Sequence, residues 1–258
     1  MLSVNKLTST SASIVDYTQN QEQRHVDRAG NEYVTGYYAN GAPSAWGGEL
    51  AAEYGLDGPV DTDTFQRLLD GQAPDGEQFA DPDSHRRKGN DLTFSAPKSV
   101  SIEALAYGND DFKEMHDRAV REAMEYVENN VISARYGKNG ARSETTGNAL
   151  FARFQHEDSR PVNGKIQPQL HDHVIVMNMT RGANDELRAT DLDFGEQAVR
   201  MHTADWIYKA SYAKQLEDAG YATRQTKNGF ELAHVTDEQI RRFSDRTTQI
   251  DENLKKKG

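Results

Sequence analysis

The 258-residue chain contains no cysteine. Disulfides and thiolate-held zinc are therefore excluded, and the absence fits a reducing compartment. No apolar run approaches the ~20 residues needed to span a bilayer. The N-terminal Met1–Thr10 lacks the basic-then-apolar layout of an export signal. These absences lead us to expect a soluble, cytoplasmic protein with no membrane insertion. A basic surplus is missing as well. The formal net charge is -11, whereas phosphate binders are usually basic. The imbalance is local, because residues 41–85 hold ten acids against one base, Arg67, and the remainder is close to neutral. Net charge therefore neither supports nor excludes a nucleic-acid partner.

What is present is a mixture of short periodic segments. The hydrophobic share is 36%, modest but sufficient for a core in a chain of this length. Leu2–Leu7 reads as a strand, and Ser11 to about Gln21 as a capped helix. Asn20–Tyr33 reads as a polar loop. Ser44–Tyr54 and Thr62–Leu69 read as short helices. Asp70–Asn90, rich in Gly, Pro and Asp, reads as a long loop, and Asp91–Ser95 as a strand. Phe112, Met115, Ala119, Ala123, Val127 and Val131 form one apolar stripe, so Asp111–Val131 is the clearest helix. Strands follow at Ala149–His156 and Leu170–Met179, then a second long helix within Asp193–Ala219. A hairpin over Tyr221–Val235 turns at Asn228-Gly229, and Thr236 caps a last helix.

The segment "QLHDHVIVMN" (Gln169–Asn178) carries two histidines at the head of a β-branched run. Strand side chains alternate faces, so His171 and His173 share one face about 7 Å apart. Such a pair alone is more often incidental than ligating. The strand before it ends in His156, which shares a face with residues 150, 152 and 154. If the two strands pair as an antiparallel hairpin, His156 lies opposite the start of the second. Three imidazoles then converge on one ion and leave open positions for water or substrate. Asp172, between the two histidines, points the other way.

Tyrosine is plentiful, 11 in all. Tyr17 falls on the N-terminal helix, and Tyr37-Tyr38 lies downstream. A tyrosine becomes a covalent nucleophile when a metal or base eases loss of its proton. For any single tyrosine, a core or surface aromatic is the commoner role. Asp91, at the head of a strand, is placed either to cap that strand or to orient a ligand histidine through its second ring nitrogen.

Several stretches are familiar in order. "NDLTFSAPKSVSIEAL" (Asn90–Leu105), "ETTGN" (Glu144–Asn148), "FQHEDSR" (Phe154–Arg160) and "PQLHDHVIVMNMT" (Pro168–Thr180) resemble the TrwC/TraI-like conjugative relaxases, the MobF class of HUH endonucleases. "YYANGAPSAW" and "LAHVTDEQIRRFSDRTTQI" fit the same pattern, so the resemblance covers nearly the whole chain. It implies an α+β fold, a central antiparallel sheet flanked by helices with a metal site on one face. It implies a divalent metal, Mg²⁺ or Mn²⁺ with Zn²⁺ as an alternative, held by His156, His171 and His173. It further implies nicking of single-stranded DNA at a plasmid transfer origin, leaving a 5′-phosphotyrosine and a free 3′-hydroxyl. Tyr17 matches the first nucleophile. Tyr37 matches the second best, with Tyr33 and Tyr38 as rivals. Asp91 matches an acid that orients a metal-binding histidine or helps take the tyrosine proton. Family members often have adjacent tyrosines at the first position, whereas here Thr18 follows Tyr17.

The resemblance also implies relaxosome accessory proteins and a type IV secretion coupling protein as partners. It leads us to expect a single relaxase domain over residues 1–258, the N-terminal part of a longer relaxase-helicase cut at its C-terminal end. Lys98, Arg153 and Arg160, with Arg86–Lys88 and Lys165, are candidate phosphate contacts, and Trp46 a candidate base-stacking platform. Three other readings stay open: a rolling-circle replication initiator or transposase of the HUH type, a His-ligated metal hydrolase or oxygenase without covalent tyrosine, and a metal-stabilised module that binds single-stranded DNA.

Overall fold

A computed structural model describes residues 1–19, 23–26, 32–35, 43–81, 87–137, 142–159, 166–192 and 196–244. The first half of the chain runs β1 (Leu2–Leu7), α1 (Ser11–Gln19), β2 (Gln23–Val26), β3 (Glu32–Thr35), β4 (Ser44–Gly47), α2 (Glu49–Glu53) and α3 (Thr62–Leu69). It continues with β5 (Gly89–Ser95), α4 (Lys98–Ser101) extended by a π-helical turn over Ile102–Ala106, and α5 (Asp111–Asn130). The second half runs β6 (Ser133–Tyr136), β7 (Arg142–Thr145), β8 (Phe151–Asp158), β9 (Pro168–Met177), β10 (Thr180–Arg181), β11 (Leu187–Arg188) and β12 (Thr190–Asp191). It closes with α6 (Glu196–Asp218), β13 (Thr223–Thr226), β14 (Gly229–Leu232) and α7 (Asp237–Arg242).

Five strands form the central sheet in the order β1-β5-β9-β8-β4, each pair antiparallel. β9 lies in the middle. Its residues from Asp172 to Met177 are buried on both faces, which explains why the sequence there is a continuous apolar run and not an alternation. The two faces carry separate cores. On one, Leu92, Phe94, Leu170, Val174 and Val176 pack with Phe112, Ala119 and Val127 of α5 and with Tyr208 and Tyr212 of α6. On the other, Leu150, Ala152, Phe154, Ile175 and Met177 pack with Ile14 and Val15 of α1, Leu50 of α2 and Phe65 and Leu68 of α3. Helices thus flank an antiparallel sheet, the α+β class expected.

The α5 stripe is buried as its spacing requires, and it takes His116 inside with it. Thr236 caps α7 in a capping box with Gln239. Several expectations need correction. The loop expected over Asn20–Tyr33 overlaps the β2–β3 hairpin of residues 23–26 and 32–35; strands of four residues are too short for an apolar alternation to betray them. Ser44–Tyr54 is a strand followed by a helix, because the chain turns at Gly48. Gly48 has φ +97°, and a Cβ there would lie 2.2 Å from the Ala149 carbonyl oxygen. The β6–β7 hairpin was not foreseen. In the β13–β14 hairpin Thr226 faces Gly229, so the turn centres on Lys227-Asn228, one residue earlier than expected.

Candidate active site

The hairpin of β8 and β9 builds the site. His156 pairs across the ladder with His171, and Phe154 with His173. On the other side of β9, Thr93 of β5 faces His173. Cross-strand partners project to the same face, so the three imidazoles gather on the face covered by α1. Their ring centroids are 4.9–5.3 Å apart. One ligating atom from each falls within 4.8 Å of the others.

Each ring has its position fixed by a hydrogen bond. His173 Nδ1 donates to both Asp91 carboxylate oxygens, at 2.9 and 2.8 Å. That bond places the proton on Nδ1 and leaves the Nε2 lone pair facing the site. Thr93 Oγ1 donates to Asp91 Oδ1 at 3.2 Å and lies 3.4 Å from His173 Nδ1. His171 Nδ1 donates to the Gln169 carbonyl at 2.8 Å, with the same consequence. His156 differs: its Nε2 donates to the Thr18 carbonyl at 3.1 Å, tying the ring to α1. Burial, with the neighbouring imidazoles adding to it, pushes His156 down to about 3 and His171 down to about 4. Both rings are therefore neutral at physiological pH and have lone pairs to offer.

Tyr17, half-buried on α1, stands over His173. The ring centroids are 5.2 Å apart in an edge-on arrangement, and Tyr17 Oη lies 3.3 Å from His173 Nε2. α1 is seated by Ile14 and Val15 in the core beneath it. Thr18 hydrogen-bonds back to the Ile14 carbonyl at 2.9 Å. One turn of helix therefore delivers both the tyrosine and the carbonyl that holds His156.

The structure brings Tyr17, Asp91, His156, His171 and His173 together. Tyr37, Tyr38, Arg86, Arg160 and Lys165 lie outside the described residues. Arg153 corrects an expectation: it projects to the opposite face of the sheet, bonded to Asp172 and Asp117, and does not face the site. Its parity along β8 already separated it from His156. Lys98 donates to the Pro168 carbonyl at 2.9 Å, and burial pushes its ammonium down to about 8 against the pull of Glu231. Trp46 is only 8% exposed and packs edge-on against Phe65, so it is a core side chain and not a stacking platform. Thr93 escaped notice, although it shares a face with Asp91 at strand spacing.

The family model for TrwC relaxase matches residues 11–258. This chain belongs to the TrwC relaxase family. Among curated relatives, the multifunctional conjugation protein TraI of Escherichia coli is 37% identical over 241 residues, 87% of this chain. TraI of Escherichia coli strain K12 is 38% identical over 215 residues, 78% of this chain. The chain spans only 13% and 12% of the length of these two relatives. Among solved structures, conjugative relaxase TrwC in complex with mutant oriT DNA superposes with a TM-score of 0.81 at 37% identity. That match covers 100% of this chain and 84% of the other. The metal-bound structure of TrwC with oriT DNA matches with a TM-score of 0.80 at 37% identity, over 98% of this chain and 82% of that one. Among the described residues no helix is long and apolar enough to cross a membrane.

Proposed function

We propose that this relaxase domain nicks one DNA strand at a plasmid transfer origin by tyrosine transesterification, and so initiates conjugative transfer. The observation that carries the reading is Tyr17 Oη standing 3.3 Å from an imidazole of a three-histidine cluster. A candidate nucleophile and a candidate metal-ligand set stand side by side. TrwC, similar over nearly all of this chain, has been solved with oriT DNA in metal-bound and metal-free forms. That similarity favours the relaxase over a rolling-circle initiator, a transposase or a simple metal hydrolase.

The donor set suits a divalent cation. Three imidazoles converge, burial keeps those of His156 and His171 neutral, and three protein ligands leave coordination positions open. His156, His171 and His173 would hold the ion, with Mg²⁺ or Mn²⁺ as our assignment. The bound ion supplies Lewis acidity toward a non-bridging phosphate oxygen. The chain's own residues do the rest. Tyr17 Oη attacks the phosphorus, and a P–O bond forms to tyrosine as the bond to the 3′ oxygen breaks. The tyrosine proton leaves and the 3′ oxygen ends as a hydroxyl. Asp91 holds His173 in the tautomer and orientation that keep Nε2 directed at the site. The phosphotyrosine preserves the phosphodiester bond energy, so the strand can be rejoined by the reverse route.

Tyr37 is our assignment for the second nucleophile. Arg160 remains a candidate phosphate contact. Accessory proteins of a relaxosome and a secretion coupling protein are proposed partners, the cytoplasm is the proposed site of action, and the 258 residues are proposed as one relaxase domain of a longer protein.

The test is a denaturing gel of labelled single-stranded oligonucleotides that carry the cognate transfer origin, incubated with protein and Mn²⁺. We expect a covalent protein–DNA adduct that EDTA prevents. Cleavage without an adduct would establish a hydrolase instead, and binding without cleavage a DNA-binding module.

A further inference from the structure

Between the proposed ligands His171 and His173, β9 carries Asp172. Its carboxylate points through the sheet to the α5–α6 face and is fully buried. Asp172 Oδ2 accepts from Arg153 Nε on β8. Oδ1 lies 3.3 Å from His116 Nε2 on α5, off the line of a hydrogen bond. His116 Nδ1 in turn sits 2.8 Å from the Tyr208 hydroxyl of α6. Arg153 also binds Asp117 of α5, which holds Arg121 at 2.8 Å. Burial pushes the Asp172 carboxyl up, but His116 and Arg153 outweigh it and hold it below the usual carboxylate range. Side chains from β8, α5 and α6 thus converge under the one residue that separates two ligands.

We propose that Asp172 is a positioning residue: clamped by Arg153 and His116, it fixes the rotation of β9 about its own axis, and with it the spacing of the two imidazoles on the opposite face. The inference rests on the three-histidine reading of the site. Successive strand side chains point to opposite faces, so a roll of the backbone at residue 172 swings both neighbours together. The backbone ladders to β5 and β8 limit such a roll, and apolar packing, being non-directional, adds little to fix what rotation the ladders leave. Ligand distances in metal sites fall within about 0.2 Å of their standard values. A guanidinium bonded through separate nitrogens to two carboxylates does set a direction. Net stability does not explain the arrangement, because buried ion pairs seldom outperform well-packed apolar residues of the same volume.

The decisive variant removes the three central groups at once, Asp172→Leu with Arg153→Met and His116→Leu; Asp117 keeps Arg121 as its partner, so no buried charge is orphaned. Three properties would be compared with wild type. We expect urea unfolding of the metal-free protein to be unchanged or shifted upward. Mn²⁺ affinity by calorimetry should fall about 10- to 100-fold. The visible absorption of the Co²⁺-loaded protein should change shape. Asp172→Asn, which keeps the volume and an acceptor for Arg153, should move metal affinity and spectrum the same way by a smaller factor, and it decides the matter if the triple variant does not fold. A folded variant of either kind with wild-type Mn²⁺ affinity and an unaltered Co²⁺ spectrum would overturn the proposal. His171→Ala is the control. If it too binds Mn²⁺ as wild type does, the three-histidine reading has failed and the positioning role falls with it. If only His171→Ala loses the metal, the site stands and the positioning role is refuted.

Discussion

The two faces of the central sheet share the same strands and have opposite characters. One is covered by the long helices α5 and α6 over a large apolar core. The other is covered by the short helices α1, α2 and α3 over a smaller core, and at one end it gives way to three imidazoles, a carboxylate and a tyrosine. Strand alternation lets one residue serve packing while its neighbour serves chemistry. On β9, His171 and His173 face the site while Leu170 and Val174 face the α5–α6 core. The lesson is a division of labour. Changes to the apolar core under α5 and α6 should cost stability, the Asp172 network excepted, and changes on the site face should cost chemistry.

The largest expected effect lies on the site face. Tyr17→Phe should abolish the covalent adduct, at least ~10³-fold in rate, as when a covalent nucleophile is removed, and should leave urea unfolding near wild type. An adduct that persists at wild-type rate would transfer the nucleophile's role elsewhere. The mirror experiment is Phe112→Ala, on a ring that is fully buried and packed 4.8 Å from Tyr221. It should cost about 3–5 kcal/mol of unfolding free energy, while the folded fraction cleaves at the wild-type rate. Loss of the cleavage rate constant itself would blur the division between faces.

Acid sharpens the comparison from within. His156 and His171 have folded pKa values pushed to about 3 and about 4, below the ordinary ~6.5 of the unfolded chain. Between these limits the unfolded state binds more protons, so stability is full above about pH 6.5 and falls as pH drops toward 4. The loss is on the order of 3 kcal/mol per imidazole. Urea unfolding at pH 7 and pH 4 in EDTA should show this fall for wild type and a shallower one for His171→Ala. Identical slopes would mean that the cluster does not store this energy. Asp91→Asn should weaken Mn²⁺ binding about 10- to 100-fold by loosening the His173 tautomer, which calorimetry reads directly; wild-type affinity would exclude that role. Thr93→Val, which deletes two long hydrogen bonds at the same carboxylate and imidazole, should cost only about 1 kcal/mol and a few-fold in cleavage rate. A loss as large as that of Asp91→Asn would promote Thr93 from support to partner.

Much of this was legible along the chain. The His-x-His spacing and the parity of His156 placed three imidazoles on one face, and the same parity separates Arg153 from them. The register His156↔His171 agrees with the hairpin expected from the two strands. Helix periodicity located α5, and threonine chemistry located the start of α7. The failures have physical causes. Arg153 looked like a phosphate contact because a basic residue near a site carries no mark of its partners, and Asp117 is 36 residues away. Trp46 looked like a stacking platform because its burial depends on Phe65 of α3, which local sequence does not show. The β2–β3 hairpin was invisible because its strands are only four residues long.

By itself the sequence determined which side chains share a face, because strand and helix periods are properties of the backbone. It also determined the donor set, since the chain offers imidazoles and no thiol. Only the tertiary structure decided which faces meet. Tyr17 reaches His173 across 156 residues of chain, and Asp91 reaches it across 82. Such contacts are settled by how β5, β9 and α1 pack, and no local periodicity encodes that packing.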